Sequence, residues 1–176
     1  MSRMVRIAVI SDTHGSLDAV EKAIAAAGDV DCWFHLGDFA SDAKYISKKT
    51  GLPVYSVLGN CDGWVLAGAS QSVSYPEPQR TSASEMVVTV GKARIMLCHG
   101  HTYDVDFDTL RLGYRAEELE CDAVLYGHTH VSELSAYGRV MKLNPGSPSR
   151  PRGGRKPSFA IMTVDEARVN ADIVLL

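Results

Sequence analysis

A chain of 176 residues with 45% apolar and 22% charged side chains carries enough hydrophobic material for a sizeable core and lies far from the composition of disordered segments. Eighteen Lys and Arg against twenty-one Asp and Glu leave a net charge of −3, which argues against broad electrostatic capture of nucleic acid. The apolar runs fall short of the roughly 18 residues a membrane helix needs, and the opening MSRMVR leads into strand-like sequence without a secretory leader pattern, so a soluble, cytoplasmic protein is expected. Cys32, Cys61, Cys98 and Cys121 are widely spaced and form no C-x-x-C pair, which removes zinc-finger and dithiol redox chemistry.

Residues 5–11 (VRIAVIS) form a β-branched run without alternation, the pattern of a strand buried on both faces. Ser16 is a candidate N-cap for a helix in which Leu17, Val20, Ile24 and Ala27 recur at helical spacing before Gly28. Residues 32–36 and 54–58 read as further strands around a short helix at 42–49, and this β-α-β-α-β order implies parallel pairing through right-handed crossovers. Residues 60–84 are rich in Gly, Ser and Pro and read as a long loop, in which Trp64, Val65 and Leu66 suit a lid, a contact between copies of the chain, or packing. Gly91-Lys92 joins strands at 85–90 and 93–98 in a hairpin. A helix at 108–119 and a buried strand at 123–126 follow, and then strands at 132–137, 140–143, 159–164 and 169–175. With no internal repeat and no linker, the expectation is one α/β domain over residues 1–176, built from two mixed sheets packed face to face with helices outside.

Divalent metals of hard or borderline character take carboxylate and imidazole ligands, and the ends of strands are where an α/β fold collects such groups. Asp12 and His14 follow the first expected strand, Asp38 the second, Asn60 the third, His99 the hairpin strand, and His128 with His130 the strand at 123–126. One D-x-H alone is weak, since thirteen Asp and six His give roughly 0.4 chance matches in this length. The ordered set D-x-H, G-D, G-N-C-D, H-G-H and G-H-T-H, each just beyond a strand, is a far less probable accident. His35 lies inside an apolar strand and reads as a core histidine. Asp104, Asp106 and Asp108 read as helix-capping and solvated residues.

Taken together, Ser11-Asp12-Thr13-His14-Gly15, Leu36-Gly37-Asp38, Gly59-Asn60-Cys61-Asp62, Cys98-His99-Gly100-His101, Gly127-His128-Thr129-His130 and Asn144-Pro145-Gly146-Ser147 resemble the calcineurin-like metallophosphoesterase superfamily, most closely its small single-domain YfcE-like phosphodiesterase branch. The resemblance spans nearly the whole chain. It implies a four-layer α/β/β/α sandwich whose loops hold two divalent ions, manganese, nickel, iron or zinc. By motif, Asp12, His14 and His130 would bind the first ion, Asn60, His99 and His128 the second, and Asp38 both. Two divalent ions held by two carboxylates leave a formal surplus of about two positive charges, a setting for an anionic phosphate ester attacked in line by a hydroxide shared between the ions.

Position 61 departs from the broader superfamily, where histidine commonly protonates the leaving group. Cys61 beside cations is a poor proton donor, so His101 or solvent is left as the acid, and aryl esters are expected to turn over much faster than alkyl ones. Asp62 suits a supporting carboxylate that orients its neighbours. The loop NPGSPSRPRGGRK brings Arg150, Arg152, Arg155 and Lys156 after a strand, with Arg152 the candidate phosphate contact and a solvated loop the plainer alternative. Phosphomonoesterase and nucleotide pyrophosphatase activities share the same site. A protein-binding scaffold, as in the retromer subunit of this fold, is the alternative of another class, and a hydrolase of non-phosphate substrates ranks below both. Assembly into a homo-oligomer stays open.

Overall fold

The computed structural model describes residues 3–62 and 79–176; Trp64, Val65 and Leu66 lie outside the described residues. The chain runs β1 (Val5–Ile10), α1 (Leu17–Ala27), β2 (Cys32–His35), α2 (Ser41–Thr50), β3 (Val54–Ser56), β4 (Gln79–Ser82), β5 (Glu85–Val90), β6 (Ala93–Cys98), α3 (Leu110–Glu118), β7 (Ala123–Leu125), β8 (Glu133–Tyr137), β9 (Val140–Asn144), β10 (Ser158–Asp165) and β11 (Arg168–Leu175). The first sheet has the order β11-β10-β1-β2-β3 and the second β4-β5-β6-β7-β9-β8. Strands β1, β2 and β3 are parallel, as are β6, β7 and β9, while β10 and β11 and the hairpin partners run antiparallel.

Three apolar clusters fix the layering. Ile7 and Val9 of β1, Phe34 of β2 and Met162 of β10 meet Ile95 and Leu97 of β6 and Leu125 of β7 between the sheets. The alternate side chains Ala8, Ile10, Trp33 and Phe159 face α1 and α2 through Val20, Ala23 and Ile46. Met96, Val124 and Tyr126 of the second sheet face Leu112 and Ala116 of α3. Because successive strand residues point to opposite faces, a run such as IAVI feeds two cores at once, which is why it lacks alternation. Two mixed sheets with helices on both outer faces are the expected sandwich.

Differences from the sequence reading are local. Ser16 makes no side-chain cap; the entry to α1 is instead closed by backbone, with Ser16 N–H donating to the Thr13 carbonyl at 3.0 Å. Helix α3 starts at Leu110, after Asp108 Oδ1 has accepted the Leu110 N–H at 2.9 Å. Strand β4 occupies part of the segment read as loop, because pairing with β5 through main-chain groups needs no apolar alternation. Among the described residues no helix is long and apolar enough to cross a membrane.

Candidate metal centre

The parallel strands deliver their C-terminal ends to one edge of the sandwich. Asp12 and His14 leave β1, Asp38 leaves β2, Asn60 follows β3, His99 follows β6, and His128 and His130 follow β7. The backbone turns back sharply there: φ is 56° at Asp12, 48° at His14, 55° at Asp38, 72° at His128 and 59° at His130. Left-handed backbone at a non-glycine residue costs on the order of 1 kcal/mol or more and gathers at functional sites. The two sheet edges close on each other through His128 N–H, which donates to Asp12 Oδ2 at 3.0 Å. Residue 127 must be glycine for this approach, since a Cβ there would stand 2.1 Å from Ser11 Oγ and 2.5 Å from Asp12 Oδ2.

Asp12, His14, Asp38 and His130 each offer a ligand atom, and these atoms lie within 4.8 Å of one another. His130 Nε2 is 3.3 Å from Asp12 Oδ1, His14 Nε2 is 3.6 Å from Asp38 Oδ2, and the two Nε2 atoms are 3.2 Å apart. On the other side of Asp38, its Oδ1 is 3.4 Å from His99 Nε2. The His99 and His128 rings are 5.2 Å apart, and His128 Nδ1 is 3.1 Å from Asn60 Oδ1. Asp38 therefore turns one oxygen to each group.

Outer contacts aim these atoms inward. A carbonyl can only accept, so His99 donates Nδ1–H to the Leu36 carbonyl at 2.8 Å and His130 donates Nδ1–H to the Arg150 carbonyl at 2.6 Å. Both Nε2 atoms are left as lone-pair donors facing the carboxylates. His128 Nε2 lies 2.7 Å from Asp106 Oδ2, an arrangement in which the ring donates to the carboxylate and its Nδ1 lone pair opposes the Asn60 oxygen. Asp12 Oδ2 accepts from Ser11 Oγ, yet Asp12 Oδ1 and His99 Nε2 are fully buried without a hydrogen bond. Leaving a buried carboxylate oxygen and a buried imidazole nitrogen unpaired is costly, and a cation beside each would satisfy it. The donor set, two carboxylates, imidazoles and an amide oxygen, fits divalent ions of borderline hardness.

The Asp12 carboxylate raises the proton affinity of His130 above the ordinary value. Burial disfavours the charged form of His99, but Asp38 and Asp12 override it and the net shift is upward. Burial works against the Asp38 anion too, yet His99 and the Cys61 N–H hold it well below the usual carboxylate range. His14 is pushed down, chiefly by burial.

The other sequence candidates divide. Asp62 spans two loops, accepting the Ala40 N–H on Oδ1 and the Gly59 N–H on Oδ2, both at 2.8 Å. Cys61 is exposed; its N–H donates to Asp38 Oδ1 at 2.9 Å, and burial together with Asp38 raises its thiol pKa. The His101 ring is 5.4 Å from that of His99 and 6.2 Å from that of His128, and burial first and these neighbours second lower its pKa. Arg152 is exposed and touches the centre through its backbone N–H, which donates to the His130 carbonyl at 3.0 Å. His35 is the expected core histidine, its Nδ1 accepting from the Gly37 N–H and its Nε2 bonded to Thr13 Oγ1 at 3.0 Å.

Asp104, Asp106 and Asp108 are exposed as expected and Asp108 caps the first N–H of α3, while Asp106 has a further contact that the sequence did not announce, its carboxylate meeting His128. Ser147 and Ser149 had no assigned role; both hydroxyls donate to the Asp12 carbonyl and so fix the first ligand loop. Their place beside N-P-G was the one available signal.

The model of the calcineurin-like phosphoesterase superfamily domain matches residues 5–167. The probable metallophosphoesterase YsnB of Bacillus subtilis is 30% identical over 164 residues, covering 92% of this chain and 85% of that protein. Phosphodiesterase YfcE of Escherichia coli K12 is 27% identical over 185 residues, covering 96% and 92%. Among solved structures, the "predicted phosphoesterase" of Streptococcus pneumoniae TIGR4 has a TM-score of 0.75 at 31% identity, covering 99% of this chain and 91% of that one. Vps29 of Entamoeba histolytica, solved with zinc, has a TM-score of 0.68 at 21% identity over 97% and 98%, a likeness of fold. With its family domain matched almost end to end, the chain belongs to the calcineurin-like phosphoesterase superfamily.

Proposed function

We propose that the chain is a divalent-metal-dependent phosphodiesterase whose centre takes two ions. The observation that carries this reading is the convergence of ligand atoms from Asp12, His14, Asp38 and His130, with Asp12 Oδ1 and His99 Nε2 buried and unpaired beside them. Asp12, His14 and His130 would hold one ion, Asn60, His99 and His128 the other, and Asp38 both. Bound there, the ions would lower the pKa of water toward neutrality and offset the negative charge of a phosphate ester. Manganese is the favoured ion, with nickel, iron and zinc suited to the same ligands.

The chain's own residues position and discriminate. Asp62 locks the Gly59–Cys61 turn to the Asp38 loop, so Asn60 and Asp38 keep their relation. His101, whose ring is 5.4 Å from that of His99, is the side chain that would serve as acid toward the leaving group, with solvent as its alternative. Cys61, exposed and next to Asn60, is a poor proton donor beside cations, which favours esters whose leaving groups depart unaided. Arg152, and Arg150 whose charge is felt at His14, draw the anion in. Four free thiols suit a reducing, cytoplasmic setting.

The test is hydrolysis of bis(p-nitrophenyl) phosphate with added manganese, beside a monoester and a dinucleoside polyphosphate, with metal counted per chain. Diester turnover leading the three, with two ions bound, is the expected result. A chain that holds well under one ion and cleaves none of them is a scaffold, as the fold shared with Vps29 would permit.

A further inference from the structure

Phe39 directly follows the shared carboxylate Asp38, and its φ of +66° lies in the left-handed region that bulky residues rarely enter. Its ring is 40% exposed, so core packing does not offset that strain. The ring stands beside His14, with centroids 5.7 Å apart and planes tilted by 54°. Beneath it is Gly15, with φ +73°; a Cβ there would be 3.2 Å from both Phe39 Cδ1 and Cε1. Gly15 is tied in turn to α2 by its N–H, which donates to Asp42 Oδ2 at 3.1 Å. A half-exposed aromatic ring is thus propped by a glycine backbone at the rim of the metal ligands, where a polar or glycine residue would meet the backbone demand at lower cost.

We propose that Phe39 is a stacking platform that selects phosphate esters bearing a flat aromatic group, either a phenyl ring or a nucleobase. The inference rests on the phosphoesterase reading above and adds the class of ester substituent. With a phosphoryl group among the ligands of Asp38 and His14, the ring is placed to meet the substituent, not the phosphoryl oxygens. Face-on or offset contact with an aromatic substituent gains area and stacking that a methyl group cannot provide.

The test is calorimetric binding of three non-hydrolysed or product-like anions to the manganese-loaded protein: methylphosphonate, phenylphosphonate and thymidine 5′-phosphate. Phe39→Ala is expected to weaken one or both aromatic ligands about tenfold and to leave methylphosphonate within about twofold. Loss for phenylphosphonate alone identifies an aryl site, and loss for thymidine 5′-phosphate alone a nucleobase site. Phe39→Gly, which suits the positive φ, must behave like Phe39→Ala, and Phe39→Tyr must restore wild-type binding; unchanged melting temperatures exclude a folding defect. Equal affinity of the wild type for all three anions, or an equal response of all three to Phe39→Ala, overturns the platform alone. Binding of none of them to the loaded wild type overturns the phosphoesterase reading and the platform with it.

Discussion

Replacing Asp38 by Asn removes one negative charge from the point where the two ligand groups meet and keeps an oxygen to accept the Cys61 N–H, now at 2.9 Å. Unit charges 4 Å apart at an effective dielectric of about 20 attract by about 4 kcal/mol, so a dication loses about 8 kcal/mol of gross attraction. Taking about half as offset by desolvation and by the retained amide oxygen leaves about 4 kcal/mol, or about a thousandfold in affinity. With manganese at about one hundred times the wild-type Kd, binding adds about 2.7 kcal/mol to stability and about 5–10 °C to the Tm of a chain this size. The variant under the same conditions is about one-tenth occupied and gains less than about 0.1 kcal/mol. Calorimetric melting with and without manganese reads the difference directly, and diester turnover should fall at least about a hundredfold. An Asn variant that keeps the metal-induced rise in Tm and near-normal turnover would refute the role given to Asp38.

Proton and metal compete for the same nitrogens. Folded His99 and His130 have proton affinities raised above the ordinary 6.5. They therefore stabilise the metal-free protein fully below about pH 6.5, and this contribution is lost as pH rises through the raised values. The Tm increment from manganese should be larger at pH 8 than at pH 6, with proton release on binding, and an increment independent of pH would contradict this ligand assignment. Asp62→Ala leaves the N–H groups of Ala40 and Gly59 without their charged acceptor and should cost about 2–4 kcal/mol, weakening manganese binding in parallel; a variant as stable as wild type would show that other groups hold the loop. Thiol labelling of the native protein should modify Cys61 fast and the other three slowly, because burial pushes Cys32 up to about 12 and Cys121 up to about 11 and raises Cys98 as well; two or more fast thiols would contradict the packing described.

The sheets and the gathering of candidate ligand residues at strand ends were legible because they rest on patterns that the chain repeats locally: β-branched runs for β1 and β10, and D, N or H at each strand end. The parallel pairing of β1, β2 and β3 followed from strand and helix alternation alone. Strand β4 was not legible, since edge pairing uses the main chain and Gln79–Ser82 has no apolar face to announce it. The contact of exposed Asp106 with His128 was not legible for a related reason: a carboxylate in a D-x-D-x-D run looks the same whether it caps a helix or reaches a histidine 22 residues away. The hydroxyls of Ser147 and Ser149 act on the Asp12 carbonyl across more than 130 positions, a relation no local pattern carries. Nor does an Asp or His betray a left-handed backbone, a conformation sequence assigns first to glycine.

The five strained turns place the enzyme's thermodynamic interests in opposition. Glycine at position 12, 14, 38, 128 or 130 would relax an unfavourable backbone angle, and hence firm up the bare polypeptide, while deleting the very side chain the site needs. Selection for rigidity alone would thus drift toward an inert sandwich. Asp or His at these five bends puts the cost of a left-handed backbone at the positions proposed to hold the ions.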